Sequence, residues 1–133
     1  MKKFNSVGRS MDILKAAGYR CEKVERWIPG AGIRKDFLGC IDIIAIRAKK
    51  KKLIGLQVFT TAWMEHKRKI CDEYPDGARL WLECGHQLYF IGWRKLKVKR
   101  GGKAFRWVPR FGKVKAKKKK LVLIEVQNPW NTK

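Results

Sequence analysis

Two apolar runs rich in β-branched residues lie so close together that they limit the fold more than any other feature of the sequence. They cover residues 39–46 and 53–60, and only a short basic link separates them. Apolar runs joined this closely form antiparallel neighbours in a sheet. If the turn centres on Lys49-Lys50, Asp42 lies directly opposite Gln57 on the same face of the hairpin, with Cβ atoms about 5 Å apart.

This pair of polar side chains within apolar strands has two interpretations. An acid and an amide oxygen at that distance can share a divalent cation, because both offer oxygen ligands. Alternatively, the two groups form a buried polar pair that satisfies its own hydrogen bonds. The pair alone leaves both interpretations open.

The balance of charge indicates a polyanionic partner. The 133-residue chain suits one domain with its own core, and it has 33 Lys and Arg against 11 Asp and Glu, a formal net charge of +22. The excess is uneven, since no acidic residue occurs from Cys84 to Ile124. A basic chain with a small acidic pocket suits metal-dependent phosphodiester chemistry, whereas a ribosomal-type binding protein has no need of the pocket.

Other classes of protein are disfavoured by what the sequence lacks. No apolar run approaches the roughly 20 residues that cross a bilayer, and no apolar signal core follows the N-terminus. The four cysteines are widely spaced and form no C-x-x-C pair, so a zinc knuckle is not expected. We therefore expect a cytoplasmic protein in a reducing compartment, with no membrane partner.

The remaining segments predict an α/β protein with a mixed sheet. In chain order, the predicted elements are a helix capped by Asn5 or Ser6 and ended by Gly18, an extended segment over 19–28, the two hairpin strands, a helix from Thr60 or Thr61 to about Glu73, a short helix over 78–83, and strands over 87–93, 96–99, 104–108 and 121–126. The charge run Lys113–Lys120 is expected to be a flexible loop or tail segment.

The hairpin and the helix after it carry a known order of motifs. Gly39-Cys40-Ile41-Asp42 places an acid on the first strand, with Ile where Pro is usual, and Gln57-Val58-Phe59 stands on the next strand ahead of the helix. This arrangement resembles the PD-(D/E)XK nuclease superfamily, in particular the small Holliday-junction-resolvase-like members of phages and archaea. Three further segments contribute to the resemblance, which covers about residues 5–95: Glu25-Arg26-Trp27, Arg34-x-Asp36 and Gly92-Trp93-Arg94-Lys95.

The resemblance implies a restriction-endonuclease-like αβββαβ core, in which helices flank a mixed sheet. The chain would then be a single domain over 1–133, with its core at about 5–95 and a C-terminal basic β appendage, a hairpin and tail, at about 94–133. It also implies a Mg²⁺-dependent endonuclease that acts on DNA, branched or duplex. Junction-resolving members are homodimers that make two symmetric cuts in recombining DNA, and a phage-encoded member works in the host cytoplasm.

The family pattern also assigns roles to residues that partly depart from it. Asp42 is the expected central ligand of Mg²⁺, with Mn²⁺ as an alternative, and Gln57 replaces the usual carboxylate while keeping an oxygen ligand. Phe59 replaces the usual lysine. In this superfamily the catalytic lysine can come from the following helix, where Lys69 is favoured. The alternative is that Lys67 and Lys69 are only solvated helix charges.

Two further acids can offset the charge that the amide lacks. Asp36 is a candidate metal ligand, but a straight strand would hold it about 20 Å from Asp42, so it needs a bend, which Gly39 can supply. Glu25, a candidate catalytic residue, would come from the neighbouring strand. Its alternative is an ion pair with one of three cations: Lys23, Arg26 or Arg34.

The basic residues are candidates for contact with nucleic acid, because Lys and Arg neutralise phosphates. The candidates are Arg34, Lys67, Arg94, Lys95, Lys97, Lys99, Arg100, Lys103 and Arg106. The aromatic residues interleaved with them, Trp93, Phe105 and Trp107, can stack on exposed bases, although packing in the core is favoured. Branched duplex and single strands are both open as targets, and a contact directed at the backbone fits recognition of shape.

Two functions therefore remain. The first is a metal-dependent DNA endonuclease in which Asp42, Gln57, Glu25 and Lys69 carry the chemistry. The second is a nucleic-acid-binding protein that keeps a nuclease-like fold without catalysis, and the replacements at Gln57 and Phe59 favour it.

Overall fold

The apolar runs of the sequence form the centre of a six-stranded mixed sheet. A computed structural model describes residues 4–131, apart from the side chain of Arg34. In this part of the chain the strands are β1 Arg20–Lys23, β2 Arg26–Ile28, β3 Ile33–Lys35, β4 Ile43–Ile46, β5 Ile54–Phe59, β6 Gln87–Lys97, β7 Phe105–Lys117 and β8 Lys120–Val126. The sheet order is β1-β4-β5-β6-β7-β8, and β2 and β3 pair separately as a small ribbon.

Three helices and one π-helical turn complete the described part of the chain. The helices are α1 Ser6–Ala16, α2 Trp63–Lys67 and α3 Asp76–Glu83, and the π-helical turn, Arg68–Glu73, continues α2. The predicted cap of α1 is confirmed, because Asn5 Oδ1 accepts a hydrogen bond from the Gly8 N–H at 2.9 Å. Across residues 4–131, none of the helices has the length and apolarity that a membrane span requires.

The direction of the strands follows from the connections between them. The short links give antiparallel pairs of β4 with β5, β6 with β7 and β7 with β8, and β1 also pairs antiparallel with β4 across the segment that contains β2 and β3. The pair β5 and β6 is parallel, because the chain crosses over through α2 and α3 before it returns. The α/β class and the mixed sheet are thus confirmed.

Each face of the sheet is covered by its own hydrophobic cluster. On one face, α1 contributes Leu14 to a cluster with Leu56, Ile91 and Trp93. The buried hydroxyl of Ser10 on α1 accepts a hydrogen bond from Trp93 Nε1 at 2.8 Å. On the other face, the π-helical turn and α3 pack against the sheet in a second hydrophobic cluster. It includes Ile70, Cys71, Ala78 and Trp81 from the helical segments and Ile41, Leu88 and Phe90. The sheet therefore lies between two helical layers.

The predicted register of the central hairpin is confirmed, but its length is not. The pairs are Ile43 with Leu56, Ile44 with Gly55 and Ala45 with Ile54, as a turn centred on Lys49-Lys50 requires. The ladder stops at Ile43, so Asp42 and Gln57 are not a cross-strand pair. Asp42 instead turns out of the ladder, and its backbone N–H bonds to the Leu56 carbonyl at 2.8 Å.

Three other predictions need correction. The extended segment over 19–28 splits, because β1 joins the main sheet while β2 pairs with β3. Neither Thr60 nor Thr61 caps α2, which follows Ala62 in the left-handed region at a φ of 62°. The charge run Lys113–Lys120 is not a loop, because it ends β7, turns and starts β8 as part of the main sheet.

A close approach at Gly77 holds the loop between β3 and β4 in place. Gly77 lies in the first turn of α3, and a Cβ atom there would overlap the carbonyl oxygen of Leu38. The ring of Phe37 also packs edge-on against Trp81, with centroids 6.2 Å apart. The loop that carries Asp36 is thereby pressed onto α3.

We predict that Gly77→Ala destabilises the protein. Alanine favours a helix over glycine by about 1 kcal/mol, but the overlap is with backbone that cannot rotate away, and overpacking costs about 1–3 kcal/mol. Thermal unfolding should show a lower midpoint. Gly102→Ala is the comparison, since its Cβ would lie 3.2 Å from the Lys99 carbonyl oxygen, a tight contact that a shift of a few tenths of an ångström relieves. A higher midpoint for Gly77→Ala would mean that the loop does not press on the helix.

Candidate metal centre

A tight reversal of the chain brings Asp36 beside Asp42. Phe37 and Ile41 exchange backbone hydrogen bonds of 2.9 and 3.0 Å across the loop. The chain turns at Leu38 and Gly39, whose φ angles are 55° and 73°. The predicted bend at Gly39 is thus present, and it closes a separation that a straight strand would make about 20 Å.

Hydrogen bonds tie Asp42 to β5 and to the link between β1 and β2. Besides its N–H bond to Leu56, its carboxylate Oδ2 accepts the Val58 N–H at 2.8 Å. Its carbonyl accepts the Val24 N–H, also at 2.8 Å. A side-chain oxygen therefore takes the place of a backbone acceptor at the end of the β4–β5 ladder. Only 4% of Asp42 is exposed.

Glu25 reaches the same place from the short link between β1 and β2. The bond between Val24 and Asp42 draws this link toward the loop, and the Glu25 side chain is 13% exposed. Glu25 also forms an ion pair with Lys23 at 3.2 Å, so one of its predicted ion-pair partners is present. Glu25 can therefore lie at the candidate site and form an ion pair at the same time.

One carboxylate oxygen from each of Glu25, Asp36 and Asp42 lies within 4.8 Å of the other two. We call these three residues the acidic cluster. Burial, a hydrogen bond with Asp36 and the charges of Asp36 and Glu25 together raise the pKa of Asp42 to about 8, against the lowering effect of the Val58 N–H. Asp42 therefore keeps a proton near neutral pH, and a cation that displaced this proton would relieve the crowding of acids. The cluster can hold a metal ion.

Gln57 on β5 has a buried side-chain oxygen without a hydrogen-bond partner among the described residues, one residue before the Val58 N–H that donates to Asp42. Only 6% of Gln57 is exposed. A buried polar atom without a partner costs about 1–3 kcal/mol. The interpretation of Asp42 and Gln57 as a self-satisfied pair is thus not supported for this oxygen, whereas a hard cation would satisfy it.

His66 is a residue near the site that the sequence analysis did not select. Its ring stacks on Phe59, with centroids 4.1 Å apart and planes 11° apart. Burial lowers the pKa of His66, as does the charge of Lys69, while Glu65 and Asp36 raise it. His66 therefore lies within electrostatic reach of both Asp36 and Lys69. The one sequence feature that points to His66 is its position on the helix after β5, where the family can place its catalytic lysine.

The predicted lysines lie on the helical segment that follows β5, and the other basic candidates lie elsewhere in the chain. Lys67 is half-buried and Lys69 is exposed on the π-helical turn, and the catalytic role of Lys69 stays a prediction. The side chain of Arg34 lies outside the described part of the chain. The other candidates, Arg94, Lys95, Lys97, Lys99, Arg100, Lys103 and Arg106, are exposed along the end of β6, the following turn and the start of β7.

The aromatic residues interleaved with these basic residues differ in how deeply they are buried. Trp93 is 3% exposed and belongs to the core, which confirms core packing for this residue. Trp107 is partly buried against the same cluster, whereas Phe105 is 48% exposed and lies under the Lys95 ammonium, 5.0 Å from it.

Comparisons with known proteins give no relative from which a role could be transferred. No protein-family model matches the chain, and no curated protein or solved structure matches it either.

We predict that the metal-free protein loses stability as the pH rises from about 5 to 8. The pKa of Asp42 is about 8 in the folded protein against an ordinary 3.8, so the folded state binds the additional proton in this range. Stability from this group is complete at low pH and is lost as the pH rises through about 8. Unfolding midpoints in EDTA should fall less steeply for Asp42→Asn than for the wild type. Asp12→Asn, on the exposed face of α1, should leave the slope unchanged.

Proposed function

We propose that the protein is a metal-dependent DNA endonuclease of the PD-(D/E)XK type that hydrolyses phosphodiester bonds. The observation that carries the proposal is the convergence of three carboxylates, two from the loop between β3 and β4 and one from the link between β1 and β2. Buried polar atoms are normally satisfied, whereas the Gln57 Oε1 has no hydrogen-bond partner among the described residues. Closely spaced carboxylates and an unsatisfied amide oxygen are ligands that a bound cation would use.

The donor set fits a hard divalent cation. Glu25, Asp36 and Asp42 offer carboxylate oxygens and Gln57 offers an amide oxygen, and oxygen ligands suit Mg²⁺, with Mn²⁺ as an alternative. A bound ion of this kind would polarise the phosphate and lower the pKa of a water molecule. Cys40 is not a suitable ligand, because burial, followed by the charges of Asp36 and Asp42, raises the pKa of its thiol to about 12.

The protein's own residues would orient the metal ligands and stabilise charge. The Val58 N–H fixes the rotation of the Asp42 carboxylate, and the Val24 N–H fixes its backbone. His66 lies against Phe59, which stands where the family has its lysine, so an imidazole occupies space near that position. Lys69 is the candidate that would stabilise the additional negative charge of the transition state electrostatically.

The substrate class follows from charge and from the resemblance. A net charge of +22 favours binding to a polyanion, and the exposed basic residues beyond Arg94 supply phosphate contacts. Branched DNA is the first substrate to test, because the resembled enzymes resolve Holliday junctions. These enzymes act as homodimers, so two symmetric cuts would be expected here.

A second candidate is a nucleic-acid-binding protein without catalysis, favoured by Phe59 in place of the family lysine. A labelled four-way junction separates the two candidates. Cleavage with Mg²⁺ and none with EDTA supports the endonuclease. Binding without cleavage in either Mg²⁺ or Mn²⁺ supports the second candidate.

We predict that Asp42→Asn abolishes cleavage while DNA binding is kept or slightly strengthened. The variant removes the Asp42 carboxylate from the acidic cluster, but it leaves the basic surface unchanged. Cleavage and gel-shift assays on the same junction measure the two effects. Asp12→Asn makes the same chemical change on α1 and should cleave like the wild type. Wild-type cleavage by Asp42→Asn would remove Asp42 from the site.

We predict that Gln57→Glu raises affinity for Mg²⁺. A fourth carboxylate adds charge where the amide oxygen is unpartnered, and it restores the residue type that the family uses. The readout is the rise in the unfolding midpoint with Mg²⁺ concentration, which reports binding to the native state. The rise should begin at a lower concentration than in the wild type, whereas the exposed control Gln127→Glu should behave like the wild type. No response to Mg²⁺ in any of the three proteins would contradict the metal site.

A further inference from the structure

A cleft opens at the end of β5, one residue beyond Val58, whose N–H donates to the Asp42 carboxylate. Its volume is about 530 Å³, within the range of about 300–1,000 Å³ that is usual for ligand sites. Its floor and walls come from the segment that leaves β5, from the middle of β6 and from the facing part of β7. Phe59 lines the cleft, and its ring also stacks on His66.

Two tryptophans supply the aromatic walls of this cleft. Trp63 and Trp107 are each partly exposed, and Trp93 lies buried between the strands. The ring of Phe4 stacks on Trp107 at 4.3 Å. The cleft therefore contains flat aromatic surface that is not fully used by the core.

The position of Trp63 depends on two glycines. A Cβ atom at Gly92 would lie 2.8 Å from Trp63, and one at Gly112 would lie 2.9 Å from it. These glycines stand on the adjacent strands β6 and β7, so the bare backbone of both strands makes room for the indole. The Arg110 guanidinium lies over the Trp63 ring, 4.1 Å from its centroid.

The charges in the cleft are all positive. Arg94, Lys95 and Arg110 line it, and within residues 4–131 no acidic residue does. Arg110 is oriented by Glu125, which accepts hydrogen bonds of 2.7 and 3.0 Å from its guanidinium. Arg94 and Lys95 are exposed, so their charges are available to a ligand.

We propose that this cleft binds one unpaired nucleotide, with its base against the tryptophans and its phosphates on Arg94, Lys95 and Arg110. The proposal rests on the proposed function and names its substrate class, namely DNA that presents a single-stranded segment beside the metal centre. Aromatic side chains and cations together form the usual platform for single strands. A stacked base in duplex DNA cannot enter a cleft of this size, because both its faces are covered by neighbouring bases.

The test compares a single strand with a duplex in the absence of metal. A ten-residue oligothymidylate and a blunt hairpin duplex of equal phosphate number are titrated in EDTA, with binding read from anisotropy and from quenching of tryptophan fluorescence. We expect stronger quenching by the single strand than by the duplex. Equal quenching by both would overturn the proposal, because it would show that no base enters the cleft.

Two variants separate the cleft from the general charge of the surface. Arg94→Ala with Lys95→Ala should weaken binding of the single strand about tenfold and reduce its salt slope by about 1.4, since each phosphate contact on a single strand contributes about 0.7. Lys50→Ala with Lys51→Ala removes the same charge at the opposite end of β5 and should have a smaller effect. Equal losses from the two pairs would overturn the proposal.

A third variant fills the cleft without a change of charge. Thr61 lines the cleft and is exposed, so Thr61→Phe should reduce quenching by the single strand while binding of the duplex is kept. Unchanged quenching would contradict the proposal. Because all these measurements exclude metal, a protein that binds in this way but never cleaves would refute the proposed function and leave the nucleotide cleft standing.

Discussion

The hydrogen bond from the Val58 N–H to the Asp42 carboxylate is the interaction on which the candidate metal centre depends. It ends the central hairpin with a side chain instead of a backbone carbonyl. Because the acceptor is a side-chain carboxyl, the position of an ionisable group is set by the geometry of a β-sheet, which is among the stiffest parts of a protein. The same residue uses its backbone to draw in the segment that carries Glu25. One aspartate thus connects the end of the sheet to the acids around it.

The main elements could be predicted because their signals are local. Spacing around Lys49-Lys50 gave the register of the hairpin, and Asn5 gave the start of the first helix. The prediction of a loop for Lys113–Lys120 was wrong because a high density of charge does not exclude a strand. Lysines alternate there with Val114 and Ala116, which is the period of a strand. In the structure β7 uses this alternation to pair with neighbours on both sides.

The candidate site was harder to predict because it depends on contacts between distant segments. Asp36 was expected to need a bend, and the bend is present, but its direction is set by α3 pressing on Leu38. Glu25 reaches the site because a single backbone bond links Val24 to Asp42. His66 could not be selected from its own surroundings in the sequence, since its neighbour in space is Phe59. A sequence shows which residues are acidic, whereas tertiary packing decides which residues lie next to each acid in the folded protein.

Strand β6 has a buried first half and an exposed basic second half, and it passes the cleft at Gly92 before it leaves the core. From Gly92 to Lys97 the backbone rises by about 3.3 Å at each step, or about 16 Å in all. One strand of a duplex advances by about 3.4 Å for each nucleotide, so this length corresponds to about five nucleotides. This distance is fixed by the backbone of β6, which is hydrogen-bonded to β7 along this length, and does not depend on flexible side chains. In the proposed complex, this strand would fix the distance between a base held in the cleft and the phosphates bound by the lysines at its far end.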